Sequence, residues 1–187
     1  MDYFSLARQF VVHSFEKSGD VQPLRHFDRT VYWVEQLMPN ADEAMRVAAF
    51  AHDIERAFRD RSKEPVGRSA KGFRDDFYIV QHPAKGAEII GRFLTERKAP
   101  ESLIARVKML IEKHEVGGNM DQNILKDADS VSFLENQIQH FLTDKLKRDG
   151  AEKIAERFEW MYSRITSQKA KEFARPFYED AMKRLKP

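Results

Sequence analysis

The sequence predicts an all-α fold, and three observations carry that prediction. Only 8 glycines and 7 prolines occur in 187 residues, and they fall mostly between periodic segments. Within those segments apolar residues recur at helical spacing, i, i+3, i+4, i+7. No stretch shows the strict alternation of a half-buried strand.

The elements follow in order. Phe4, Leu6, Phe10, Val11 and Phe15 mark a first helix. Val31, Val34, Leu37 and Met38 mark a second, which Pro39-Asn40 ends. Met45, Ala48, Ala49 and Ala51 mark a third. Asp42 and Glu43 open it, because carboxylates stabilise the positive end of a helix. The pattern lapses over residues 56–75, which read as a loop. It resumes at Ala87, Ile90, Phe93 and Leu94. Leu103, Ile104, Val107, Leu110 and Ile111 form the cleanest helix, closed by Gly117-Gly118. Ile124 through Leu134 is helical again. Ile154, Phe158, Met161 and Ile165 hold the i, i+4, i+7, i+11 spacing, and a last helix covers residues 170–185. These final two are expected to form a hairpin packed on the core by Phe158, Met161, Tyr162 and Phe173. There is no internal repeat and no low-complexity tract. The expectation is a single-domain bundle of seven to nine helices.

Composition narrows the function classes. The chain has no cysteine, which excludes a disulfide scaffold, a cysteine zinc finger and a thiol nucleophile. Six histidines leave His/carboxylate metal binding open. With 33% charged and 42% hydrophobic residues it reads as a folded globular chain. No apolar run approaches the roughly 20 residues of a membrane span. The first twenty residues lack a signal-peptide layout. A cytoplasmic protein is expected, with no membrane partner. The net charge of +2 argues against a strongly basic nucleic-acid coat.

The informative residues are His26, His52-Asp53 and Asp129. His52 and Asp53 end an Ala-rich helical run, AMRVAAFAHD. Neighbours on a helix point about 100° apart, so both can reach one ion beside it. Imidazole and carboxylate together suit several divalent metals. Asp127 and Asp129 lie about 200° apart on a helix and should not face the same ion. Apolar periodicity of Ile124, Ala128, Val131 and Leu134 puts Asp127 nearer the buried side.

Three ordered elements, LRHFDRTVYWVEQL, AAFAHDIER and LKDADSVSFLE, resemble the HD superfamily of metal-dependent phosphohydrolases. That pattern is one His, a His-Asp pair some tens of residues later, and a distant Asp in an Ala-Asp-x-hydrophobic setting. The resemblance covers about residues 20–135, with a C-terminal helical extension over about 138–187. It implies a helical HD-like domain in which His26, His52, Asp53 and Asp129 ligate a divalent ion: Mn, Fe, Mg, Zn, Co or Ni. Asp127 stays as the alternative to Asp129. His82 in QHPAKGAEII and His114 in IEKHEVGG resemble positions that supply a second ion in binuclear branches. Their structural alternatives are a helix-start cap beside Pro83 and a polar helix end. The cyclic-dinucleotide branch has a paired His-His and a Gly-Tyr-Pro run. Here a single His114 precedes Glu115-Val116-Gly117-Gly118, which counts against cleavage of such substrates. His13 and His140 have no motif context.

Arg56 stands where relatives with an HDIGK-type motif carry Lys, near the scissile phosphate. It can hold phosphate oxygens bidentately and stabilise developing charge. Residues 56–74 contain Arg56, Arg59, Arg61, Lys63, Arg68, Lys71 and Arg74 against Asp60 and Glu64. A cationic segment beside a metal attracts anionic substrates. Arg56, Arg59 and Arg61 are the foremost substrate contacts, and Glu55 is a candidate proton-transfer group. The resemblance thus implies hydrolysis of a small phosphorylated substrate, foremost a nucleotide, through a metal-activated water. Asp53 and Arg56 are the candidate catalytic residues. The alternatives are a non-catalytic HD-fold module that senses a nucleotide or metal, and a partner- or nucleic-acid-binding protein working through the basic segment.

Overall fold

A computed structural model describes residues 1–59 and 77–185. Among them every regular element is helical. These elements are α1 (Tyr3–Ser18), α2 (Leu24–Leu37), α3 (Glu43–Ala51), α4 (Glu55–Phe58), α5 (His82–Glu96), α6 (Glu101–Ile111), α7 (Met120–Asn136), α8 (Ile138–His140), α9 (Leu146–Asp149), α10 (Ala151–Ser163) and α11 (Gln168–Leu185). A π-helical segment, Phe77–Gln81, leads into α5, and another, Phe141–Lys145, joins α8 to α9. Eight of the α-helices reach nine or more residues, as the apolar periodicity predicts. No helix among the described residues is long and apolar enough to cross a membrane.

Local chemistry sets the helix ends. Asp2 accepts a hydrogen bond from Ser5 N at the start of α1, and Asp42 accepts one from Met45 N at the start of α3. Each satisfies a backbone donor that the helix leaves open. Glu43 ties the two starts together, its Oε1 accepting from the backbone N–H groups of Tyr3 and Phe4. Helix α7 begins with a reciprocal capping box between Asn119 and Gln122.

Two helices form the centre. In α3, Ala44, Met45, Val47, Ala48, Ala49, Phe50 and Ala51 are all buried, so the helix is covered on every side by α1, α2, α6 and α7. Its small side chains let those neighbours approach closely. Helix α7 is buried from Leu125 to Leu134 and packs on α2, α3, α6, α10 and α11. Phe158 and Met161 of α10 are buried in the same core as Val131 and Leu134 of α7, and Phe173 of α11 packs on Trp33. The C-terminal hairpin is therefore seated on the motif helices, as expected.

The structure departs from the sequence expectation at three places that matter for the site. Helix α3 stops at Ala51. His52 and Asp53 stand in a tightened turn held by bonds from Ile54 N to Ala51 O (3.0 Å) and from Arg56 N to Asp53 O (3.0 Å). Residues 56–58, expected in a loop, continue as the short helix α4 because Glu55 and Arg59 pair across one turn. Helix α6 ends at Ile111, before the glycine pair, and a run of turns then carries His114. The substrate-contact candidate Arg61, with Lys63, Arg68, Lys71 and Arg74, lies outside the described residues.

Candidate metal centre

Two helices and two turns deliver four imidazoles to one buried spot. His26 comes from α2, His52 from the turn after α3, His82 from the first position of α5, and His114 from the turn after α6. All four are buried, as are Asp53 and Asp129. The rings form a chain, with centroids 5.2 Å apart for His26–His52, 5.1 Å for His52–His114 and 5.5 Å for His82–His114. Gly86, the glycine of the HPAKG run, makes this approach feasible. A Cβ there would lie 3.3 Å from the backbone oxygen of His52.

In every ring Nδ1 is committed to a second group. His52 Nδ1–H donates to Ala49 O and His114 Nδ1–H donates to Ile111 O, each at 2.9 Å. His82 Nδ1–H donates to Glu55 Oε2 at 3.0 Å. These partners only accept, so the proton sits on Nδ1. Ser132 Oγ donates to the backbone oxygen of His26 at 2.8 Å. Its hydroxyl proton is thereby used, and it accepts from His26 Nδ1–H at 2.8 Å. All four rings consequently turn Nε2 inward. A metal-bound histidine is oriented in this way, with the outer nitrogen fixed by a carbonyl, hydroxyl or carboxylate.

The inward nitrogens face two carboxylates. His26 Nε2 lies 3.0 Å and His52 Nε2 lies 3.4 Å from Asp129 Oδ1. His82 Nε2 lies 2.7 Å and His114 Nε2 lies 3.8 Å from Asp53 Oδ1. His52 Nε2 is also 3.8 Å from Asp53 Oδ2. Two triads result, His26–His52–Asp53 and Asp53–His82–His114, each offering ligand atoms within 4.8 Å of one another. They share Asp53. His52 Nε2, His82 Nε2 and Asp53 Oδ1 are buried without an aligned hydrogen bond. Buried polar atoms are rarely left so, because the lost hydration is costly. Inward lone pairs and carboxylate oxygens crowded together fit a divalent cation, and the mixed N/O donor set suits Mn, Fe, Co, Ni and Zn better than Mg.

Charges around the site are balanced by arginines. Burial pushes the Asp53 carboxyl up, but Arg56, His52 and His82 hold it well below the usual carboxylate range. Burial acts likewise on Asp129, and Arg164, His26 and His52 bring it well below that range. Glu55 is lowered to about 2, its burial outweighed by His82 and Arg59. Burial pushes His52 and His82 down, yet their carboxylate neighbours raise both overall. His114 shows the opposite balance, with burial dominating and its imidazole lowered to about 4.

All six residues expected as metal ligands, His26, His52, Asp53, His82, His114 and Asp129, thus meet at one place. Asp127 does not join them. Its carboxylate accepts the backbone N–H groups of Thr166 and Ser167, both at 2.8 Å, and anchors the start of α11. Arg56 Nε pairs with Asp53 Oδ2 at 2.9 Å while its side chain stays 41% exposed, so it can also reach a substrate. Arg59 is engaged by Glu55 at 2.5 Å. Exposed His13 lies apart, and His140 pairs locally with Asp144.

Sequence reasoning missed Arg164 and Glu115. Arg164 pairs with Asp129 Oδ2 from 35 residues away, and with Glu115 Oε2 at 2.5 Å. Nothing near Arg164 in the chain signals this, since the contact exists only after the hairpin docks. Ser132 was also missed, although it stands three residues past Asp129 and shares its side of α7.

Neither a curated protein nor a solved structure matches the chain. A family described as Domain of unknown function (DUF4202) matches residues 12–185. That span takes in every residue of the candidate metal centre, and the chain belongs to the DUF4202 family.

Proposed function

We propose that the protein is a divalent-metal-dependent phosphohydrolase of the HD type, acting on a small phosphorylated substrate of the nucleotide class. The observation that carries this reading is the pair of buried triads sharing Asp53, with every histidine fixed through Nδ1 and turned inward through Nε2. His26, His52, Asp53 and Asp129 would hold one ion; Asp53, His82 and His114 would hold a second. A bound divalent ion supplies Lewis-acid chemistry, lowering the pKa of water and polarising phosphoryl oxygen.

The chain's own residues account for the remaining tasks. Asp53 lies at the junction of both triads, where a low-pKa carboxylate stays ionised and can orient a water for attack. Arg56 sits directly beside it with an accessible guanidinium. There it can bind phosphate oxygens in its rigid fork and offset the charge that grows on them. Glu55 fixes His82 and is itself fixed by Arg59. That pairing makes Glu55 an orienting group first.

The test is a hydrolysis screen over nucleoside mono-, di- and triphosphates, cyclic nucleotides and simple phosphomonoesters, each with Mn, Fe, Co, Ni, Zn and Mg. His52→Ala serves as the control. Metal-dependent phosphate release by the wild type and none by His52→Ala is the expected result. Tight nucleotide binding with no product under any metal would replace hydrolysis by sensing. Equal hydrolysis by His52→Ala would remove the metal centre from the account.

A further inference from the structure

Arg164 stands at the end of α10, in the turn to α11, and its side chain is only 7% exposed. Its guanidinium makes contacts on three sides. Nη2 pairs with Asp129 Oδ2. Nη1 pairs with Glu115 Oε2 at 2.5 Å and donates to Glu115 O at 3.3 Å. Nε donates to Ser130 Oγ at 2.7 Å, and that hydroxyl in turn donates to Lys126 O at 2.9 Å. The Trp160 ring covers it, 4.7 Å from Cζ.

The two carboxylates it grips both lead to the metal centre. Asp129 gives Oδ2 to Arg164, and Oδ1 is left facing His26 and His52. Glu115 gives Oε2 to Arg164, and Oε1 is left 3.7 Å from His114 Nε2. One guanidinium therefore fixes the outer oxygen of a carboxylate beside each triad. The turn that carries it is itself pinned to α7. Asp127 accepts from the backbone of Thr166 and Ser167, and Lys126 Nζ bonds Thr166 Oγ1. Lys126, Asp127, Asp129 and Ser130 thus form one stretch of α7 that seats the turn and presents a ligand to the site.

Resting on the metal reading above, we infer that Arg164 is a positioning residue of the metal centre, which makes the C-terminal hairpin part of the site. It sets which oxygen of Asp129 faces the first triad, and it brings Glu115 to the second as a further carboxylate. Lysine cannot substitute, because a single ammonium cannot span Asp129, Glu115 and Ser130 at once. Partners that orient metal ligands typically contribute about 10- to 100-fold in metal affinity.

The experiment is a Co(II) titration of the full-length apo-protein, followed by the visible absorption of the loaded site and by thermal unfolding. It compares wild type, Arg164→Lys, Ser130→Ala and Phe158→Leu. The last loosens the buried core of α10 without touching any Arg164 contact. Arg164→Lys should bind Co(II) about 10- to 100-fold more weakly and show an altered band, because Asp129 is free to rotate. Ser130→Ala should shift affinity in the same direction by less. Phe158→Leu should lower the unfolding midpoint yet leave affinity and band unchanged. Wild-type binding with an unchanged Arg164→Lys would overturn the inference and spare the metal reading. Equal weakening by Phe158→Leu would overturn it by showing general loosening. A wild type that takes up no Co(II) would sink the metal reading itself, and the inference with it.

Discussion

Asp53 Oδ1 and His82 Nε2 meet at 2.7 Å, buried and off the direction of a good hydrogen bond. The pair joins the turn after α3 to the start of α5, and it makes Asp53 common to both histidine triads. The geometry gives the two triads unequal dependence on single residues.

Metal content should follow that inequality. Asp53→Ala removes a shared ligand and is expected to abolish metal binding at both triads. His114→Ala touches only the second and should halve the content. Both variants should keep a helical circular-dichroism spectrum, since the core of α3 and α7 is untouched. Elemental analysis after gel filtration reads the result; equal content in the two variants would contradict the shared role of Asp53.

Apo-protein stability should depend on pH through His114. Its imidazole is lowered to about 4 from an ordinary 6.5, chiefly by burial. Between those values the unfolded chain binds the extra proton, so stability present above pH 6.5 is lost as pH falls toward 4. That loss is on the order of 3 kcal/mol at most. His52 and His82 are raised instead, so what they contribute is present below pH 6.5 and lost as pH rises through their folded values. Between pH 7 and pH 5 the urea midpoint of metal-stripped wild type should therefore fall relative to that of His114→Gln, which lacks the group that must take up a proton on unfolding. The prediction fails if the variant and wild type lose the same stability over that interval.

Arg56 and Arg59 should separate by role. Arg56 is partly exposed beside Asp53, whereas Arg59 is held by Glu55. Arg56→Ala should lower kcat by about 100-fold or more while metal content is kept. Arg59→Ala should act mainly through Glu55 and His82, weakening metal binding at the second triad. Steady-state kinetics with metal analysis of each variant distinguishes the two.

Gly86→Ala tests the close approach of α5 to the His52 turn. The new Cβ would sit 3.3 Å from His52 O, which must give by a few tenths of an ångström. Overpacking of this kind typically costs about 1–3 kcal/mol. A lower unfolding midpoint together with weaker metal binding is expected, because the displaced backbone carries a ligand. Unchanged metal affinity would show that the His52 turn yields without moving the ligand.

These predictions draw on residues that were unequally legible in the sequence. The long helices could be read because apolar spacing is local, and Asp42 announced the start of α3. His26, His52, Asp53 and Asp129 were legible as motif residues in order, and His82 through its HPAKG setting. The Glu55–Arg59 pair had a readable signal in its i, i+4 spacing, but the basic run around it invited a substrate role instead. Asp127 read as buried, and so it is, yet its backbone partners 39 and 40 residues away could not be inferred. Arg164 and Glu115 lie further still from local pattern, 49 residues apart and joined only when α10 and α11 dock on α7. What escaped the sequence is the tertiary hydrogen bonding that orients the ligands.

The most direct test of the central claim is the metal content of protein purified without added chelator, wild type beside Asp53→Ala and His52→Ala. Stoichiometric divalent metal is expected in the wild type, none in Asp53→Ala and a reduced amount in His52→Ala. A wild type without metal, even after incubation with Mn, Fe, Co, Ni or Zn, would contradict it, and so would an Asp53→Ala variant that keeps its full complement.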